Sequence, residues 1–364
     1  MAIYWLIFLL FALLALVSKR SLPLPNGRFD RSFKNWSFTL VPFLILFIGF
    51  RGEVGGDWGS YKWGFINQLE LSFAQKFVPT GQIPDPGFVV LQHLMGEMGF
   101  TFVSVNVASS LFFVIGLLKF CKALPRPYLA LAVAFPYMIV VVSMGYMRQS
   151  IALGIVMYAI EFLITKKNTK FFIYVMLAAT FHKSAVLFFP LAIFVSTKNR
   201  FFIFIGAILL AAVGYVTFIE TSVERIARYY IGQEYSSSGA IYRVGMLVVP
   251  SILFLIFKKH FNLVINEQKL WTIFALTSFP LLVAVLFLNI STTVDRIALY
   301  ALPIQLFLFS YLPDAFKKSS QLIILFIVIY YAVVMFVWLN YATHSCSWIP
   351  YTNELIGYKR VWTC

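Results

Sequence analysis

The stretch LIILFIVIYYAVVMFVWL, Leu322–Leu339, decides the fold class. Its eighteen residues carry no charged side chain, and apolar groups occupy every position rather than every second one. Barrel strands alternate in short segments, so this run reads as a helix; at 1.5 Å per residue it covers about 27 Å of a ~30 Å hydrocarbon core. In lipid the backbone must satisfy its own hydrogen bonds, which a helix does within one segment. Further apolar runs lie at Ile3–Val17, Phe38–Phe50, Phe88–Leu118 (a short interfacial turn followed by a span), Leu129–Met144, Ser150–Ile164, Phe171–Phe194, Phe201–Ile219, Val244–Phe257, Leu270–Leu288 and Ile297–Leu312. With 61% hydrophobic and 12% charged residues, the chain reads as an all-α polytopic membrane protein of about twelve transmembrane helices. The first run lacks a basic start and a small-residue cleavage site, so it reads as a retained span. No internal repeat or soluble domain stands out: residues 1–364 form a single integral membrane domain with polar loops at 51–87 and 220–243 and a tail at 342–364.

Lysine and arginine set the orientation, since short cytoplasmic loops retain them. Up to Lys170, one set of loops holds eleven (Lys19, Arg20, Arg28, Arg31, Lys34, Lys119, Lys122, Arg126, Lys166, Lys167, Lys170) and the other four (Arg51, Lys62, Lys76, Arg148). The N-terminus is therefore expected outside, and the net charge of +15 reflects this inner-face bias and contact with anionic lipids rather than nucleic acid. Phe171–Phe194 reads either as one tilted helix or as two short helices meeting at His182-Lys183. The second reading is adopted because it gathers Glu53, Asp57, Arg148, His182, Lys183, the 220–243 loop, Asp295 and Arg296 on the outer face; it also puts the C-terminus outside.

Each polar cluster carries two readings. RGEVGGDWGSY (51–61) is either a self-satisfied turn in which Arg51 pairs with an acid, or a glycine-rich loop that presents Arg51, Glu53 and Asp57 at a cavity rim. Arg148-Gln149 is either an interfacial anchor or a guanidinium fork for phosphate oxygens. His182-Lys183 interrupts an otherwise continuous apolar stretch, where ionisable groups are costly enough to suggest function. Asp295-Arg296, with Tyr300 one turn on, is either a local ion pair or part of a site. The loop 224–243 carries Arg225, Arg228, Tyr229 and Arg243, a composition that suits sugar phosphates and an aromatic interface belt equally.

Taken together, RGEVGGDWGSY (51–61), MRQSIALGI (147–155), LAATFHKSAVLFFP (177–190) and DRIALYALP (295–303) resemble the EpsG-like branch of the Wzy O-antigen and exopolysaccharide polymerases, in order and across nearly the whole chain. The family's motifs correspond here to Arg51, Gly55, Asp57 and Tyr61, to Arg148-Gln149 and to His182. The resemblance implies a GT-C-like glycosyltransferase of the bacterial inner membrane that joins lipid-linked oligosaccharide repeat units on the periplasmic face and releases undecaprenyl diphosphate. It implies as partners the undecaprenyl-diphosphate-linked donor and acceptor, membrane lipids and a chain-length regulator. In such a reaction fixed cations must meet a departing diphosphate, for which Arg51, Arg148, Lys183 and Arg296 are the candidates. An acceptor or base must meet the attacking hydroxyl, for which the candidates are Asp57, His182, Glu53 and Asp295. Tyr61, Gln149, Arg225, Arg228, Tyr229, Arg243 and Tyr300 are the sugar-binding candidates.

The chain has no D-x-D motif and no Walker A loop, and its four histidines (93, 182, 260, 344) are too dispersed for metal ligation, so no cofactor or metal is expected. Two alternatives use the same lipid-linked sugar: an O-antigen ligase, and a flippase, which should show repeats and midplane charges that are not found here. Between the two leading bases, Asp57 is expected to orient the acceptor and His182 to bind diphosphate or sugar. The surrounding cations should keep His182 neutral, and should leave Asp57 ionised but weakly basic. Cys346 and Cys364 fall in the outward tail, apart from Cys121, and bracket a loop suited to a disulfide.

Overall fold

A computed structural model describes residues 1–21, 34–78, 84–191, 208, 239–287, 291–316 and 319–357. Thirteen helices are described: α1 (Ala2–Val17), α2 (Lys34–Gly49), α3 (Trp58–Leu69), α4 (Pro86–Glu97), α5 (Phe102–Lys122), α6 (Pro127–Gly145), α7 (Met147–Ile164), α8 (Asn168–Phe181), α9 (Ala240–Phe257), α10 (Ile265–Phe287), α11 (Ser291–Leu299), α12 (Pro303–Ala315) and α13 (Ser320–Tyr341). Among the described residues six helices, α5, α6, α7, α9, α10 and α13, are long and apolar enough to cross a membrane, and α1 and α2 are shorter apolar helices. Lipid offers no hydrophobic drive for helices to associate, so close packing has to supply it. At the α5–α7 contact a Cβ on Gly116 would lie 1.9 Å from the Gly154 carbonyl oxygen, so the two backbones touch directly.

Two sets of polar contacts mark the ends of the bundle. At one end Arg20 and Arg126 both pair with Asp314, Arg126 also reaches Ser320 at 3.0 Å, and the Ser21 amide donates to Pro125. At the other end the Tyr4 hydroxyl donates to the Trp348 carbonyl at 2.8 Å, which puts the first helix and the C-terminal tail side by side. The tail returns over the turn after α2. Its Ser347 and Thr352 carbonyls accept from the Gly55 and Gly52 amides at 2.9 and 3.0 Å, and Arg51 bridges Asn353. Cys121 is buried and free; Cys346 is disulfide-bonded, while Cys364, its expected partner, lies outside the described residues.

Two helices stop short, and both breaks bear on function. α8 spans fourteen residues, about 21 Å, and ends where His182 turns extended (φ −155°, ψ 113°). The chain then doubles back through the 3-10 turn Lys183–Phe188, so that Phe189 stacks on Phe172 with ring centroids 5.6 Å apart. The expected break at His182-Lys183 is thus present. The run Ile297–Leu312, read from sequence as one span, is instead interrupted at Tyr300–Leu302 between α11 and α12, because Pro303 opens a new helix and donates no amide to the previous turn. A second correction concerns the polar loop 51–87, which contains the twelve-residue helix α3 and a 3-10 turn, Gln75–Phe77. Apart from Ile208, the run Phe201–Ile219 and most of the 220–243 loop lie outside the described residues.

Candidate active site

The turn after α2 is shaped by its glycines and by Arg51. Gly55 takes φ +110°, and a Cβ there would sit 2.2 Å from the Met144 carbonyl oxygen, so only glycine lets the loop press against the end of α6. Arg51 is 1% exposed; its Nη1 donates to the Ile48 carbonyl at 2.6 Å and its Nε to Val54 at 3.1 Å. It satisfies a carbonyl left open at the end of α2 and another in the turn that follows, and it faces inward rather than toward a ligand. Glu53 adopts φ 52° on the same turn and lines no part of the cleft described next. Asp57, by contrast, is exposed at the start of α3, without a side-chain cap bond.

From Asp57 a cleft of about 280 Å³ opens between α3 and α4, with Arg148 at the start of α7 beside it. Arg148 Nη1 donates to Asp85 Oδ2 at 2.8 Å, its Nε reaches the Tyr61 hydroxyl at 3.5 Å, and its guanidinium lies 5.7 Å from the Tyr61 ring centre. Nη2 has no hydrogen-bond partner among the described residues, and the side chain is 32% exposed. Asp85 Oδ1 accepts the Lys183 backbone amide at 3.3 Å, so one carboxylate joins Arg148 to the break after α8. Asp85 was not legible as a site residue: between Pro84 and Pro86 it carries the ordinary signature of a helix start.

At that break the Ser184 hydroxyl lies 2.5 Å and the Tyr300 hydroxyl 3.4 Å from His182 Nδ1. The two hydroxyls engage Nδ1, and Nε2 has no partner among the described residues. The two interrupted helices therefore meet through His182 and Tyr300, whose ring centres are 6.3 Å apart. Gln149 is buried, and its amide donates to the Arg296 carbonyl at 2.5 Å, tying α7 to α11. The Arg296 side chain projects outward, exposed and without a hydrogen bond or ion pair among the described residues. Asp295 is buried and pairs with Arg243 at 2.5 Å rather than with its neighbour Arg296.

Burial is the first influence on the charges of this site. It raises the pKa of Asp57 and Asp85 above the usual carboxylate value, although Arg296, Arg148 and His344 pull Asp57 the other way and Arg148 and Lys183 pull Asp85. It lowers His182 to about 3, reinforced by Arg148, Arg296 and Lys183. The expectation of a neutral histidine holds. For Asp57, which is exposed at its surface yet set among cleft walls, the net shift is upward rather than downward, because desolvation outweighs the cations around it.

The structure thus gathers Asp57, Tyr61, Arg148, His182, Lys183, Arg296 and Tyr300 at one end of the bundle and places Arg51, Gln149, Asp295 and Arg243 as supports around them. Arg225, Arg228 and Tyr229 lie outside the described residues. Among the described residues no three His, Cys, Asp or Glu side chains converge as a metal ligand set would. The family model described as the EpsG family matches residues 34–353, a range that includes every element of this site. No curated protein and no solved structure matches the chain.

Proposed function

Because the chain belongs to the EpsG family, whose model covers residues 34–353, we propose that it is a polysaccharide polymerase of the bacterial inner membrane. It joins undecaprenyl-diphosphate-linked oligosaccharide repeat units at the periplasmic face. About twelve crossings and a GT-C-like architecture belong to this reading, as does the periplasmic face, which rests on the lysine and arginine bias. The observation that carries the reading is the pairing of an unbonded carboxylate, Asp57, with Arg148 in one cleft, within electrostatic reach of Arg296 and beside His182 and Lys183.

A hydroxyl of the acceptor sugar attacks the anomeric carbon of the donor. The bond from that carbon to the diphosphate oxygen breaks, its electron pair leaves with undecaprenyl diphosphate, and the hydroxyl proton passes to the Asp57 carboxylate. Negative charge grows on the leaving diphosphate. Arg148, held by Asp85 before the reaction, meets it through its unengaged Nη2, and Arg296 meets it through a guanidinium with no internal partner among the described residues. His182, held neutral, donates from Nε2 to a diphosphate or sugar oxygen. Asp85 is a positioning residue that holds Arg148 against the Lys183 turn.

The test supplies purified protein with one lipid-linked repeat unit and resolves the products on a gel. A ladder of lengths is expected. A single capped acceptor would indicate a ligase, and an unreacted donor would favour transport. Asp57→Asn should abolish the ladder while donor binding persists, and His182→Ala should weaken donor binding; an active Asp57→Asn beside a His182→Gln that binds but does not elongate would move the base role to His182.

A further inference from the structure

The cleft does not end at the charged groups. Asp57, Tyr61, Gly64 and Gln68 recur at helical spacing along one face of α3, and Asp85, Phe88, Val89 and Gln92 do so along α4. From Asp57 to Gln68 the cleft runs about 16 Å at 1.5 Å per residue, longer than the reacting centre needs. Its chemistry changes along that length. The near end holds Asp57, Asp85 and Arg148, while the far half, lined by Gly64, Gln68, Phe88, Val89 and Gln92, carries no charge. Between them Tyr61 and Phe88 meet edge to face at 5.6 Å.

Two amides stand in the far half without partners. Gln92 is 4% exposed, lines the cleft, and makes no hydrogen bond to any described residue. The Gln68 Oε1 atom is buried and likewise unbonded. A largely buried amide that lines a cleft without a protein partner takes a ligand hydroxyl without first giving up a bond to the protein. An amide accepts and donates at once, as a sugar hydroxyl does, and adjoining aromatic rings suit the apolar faces of a pyranose.

We propose that the α3–α4 groove is the acceptor subsite for an uncharged oligosaccharide, with Gln68 and Gln92 reading its hydroxyls at the end away from the reacting carboxylate. The assignment rests on the polymerase reading and gives its acceptor a place and a chemical class. It also gives a direction: the sugar that reacts sits by Asp57, and the remainder of the repeat unit extends along α3.

Binding to the purified full-length protein tests this by calorimetry with two probes, neutral oligosaccharide fragments released from the native polymer and inorganic pyrophosphate. Gln92→Leu and Gln68→Leu should each weaken the oligosaccharide about tenfold, the effect of one hydrogen bond lost to a buried amide, and leave pyrophosphate unchanged. Arg148→Ala and Arg296→Ala should do the reverse. Gln68 is less buried than Gln92, so its variant should fold even if Gln92→Leu does not, and retained pyrophosphate binding reports the fold. Oligosaccharide binding that is absent, or indifferent to both glutamines, overturns the subsite while pyrophosphate binding leaves the polymerase reading standing. Glutamine-dependent oligosaccharide binding without any pyrophosphate binding supports the subsite and removes the diphosphate chemistry.

Discussion

Arg51 and Arg148 look alike in sequence, each a lone arginine where an apolar run meets a polar one. Their surroundings separate them. Arg51 gives Nε and Nη1 to the Val54 and Ile48 carbonyls and keeps its remaining Nη2 sealed beneath the surface, whereas Arg148 spends Nη1 on Asp85 and Nε on Tyr61 and keeps Nη2 on a side chain that is 32% exposed. Lysine cannot reproduce either fork. Arg148→Lys and Arg296→Lys should therefore slow elongation about tenfold or more at unchanged thermal stability, because what is lost is transition-state charge stabilisation. Arg51→Lys should act through the fold, costing roughly 1–3 kcal/mol by leaving buried carbonyls unpaired. Unfolding in detergent beside an elongation assay distinguishes them; an Arg51→Lys protein of normal stability but no activity would return Arg51 to the diphosphate site.

Elements in this protein are defined as much by where helices fail as by where they run. Pro250 lies inside α9 and cannot bond the carbonyl four residues before it, and the freed Met246 oxygen accepts from Gln305 at 3.0 Å, whose Oε1 in turn accepts from Tyr331 at 2.6 Å. A polar network thus links α9, α12 and α13 inside the apolar bundle. In α6 the segment Phe135–Val142, with Pro136 at its start, widens to π-helical geometry, and the Val140 carbonyl accepts from the Trp348 indole at 2.8 Å. Contact between α5 and α7 depends on the opposite device, the absence of side chains. A Cβ on Gly154 would come within 2.6 Å of the Phe112 carbonyl oxygen, so Gly154→Ala and Gly116→Ala should each force the two backbones apart and lower stability by about 1–3 kcal/mol. Once apart, the helices have little left to lose, and the double variant should cost less than the sum. Thermal unfolding of the four proteins decides this, and strict additivity would mean the two glycines do not share a contact.

Across the whole molecule, the C-terminal tail holds the first helix, the end of α6 and the active-site turn in one relation. Trp348 is its centre: the indole donates to Val140, the backbone carbonyl accepts from Tyr4, and the ring packs under Gly145 and edge-on against Trp338 at 5.0 Å. Asp57 follows directly on the turn that this tail covers. Trp348→Ala should therefore destabilise the protein by about 3–5 kcal/mol and reduce elongation even at temperatures where it stays folded. Trp348→Phe keeps most of the packing, loses the donor, and should cost about 1–2 kcal/mol. Circular dichroism with a matched elongation assay would show both; a fully active Trp348→Ala would disconnect the tail from the site.

Helix formation and membrane residence follow from local properties of the chain, which is why runs such as Leu322–Leu339 and the bias of eleven basic residues against four could be read directly. The break at His182-Lys183 was legible for the same reason, since charge interrupts an apolar run. The break at Tyr300 was less legible because no charge interrupts the apolar run there, although Pro303 marks the start of the new helix. Which polar groups remain available for chemistry was settled only by tertiary contact: Arg148 finds Asp85, and Arg243 finds Asp295. A hydrogen bond satisfies whichever group packing brings within reach, however distant in sequence. The chain could announce its cations and carboxylates, but only the packed bundle leaves Asp57, His182 Nε2, Arg148 Nη2 and Arg296 unspent.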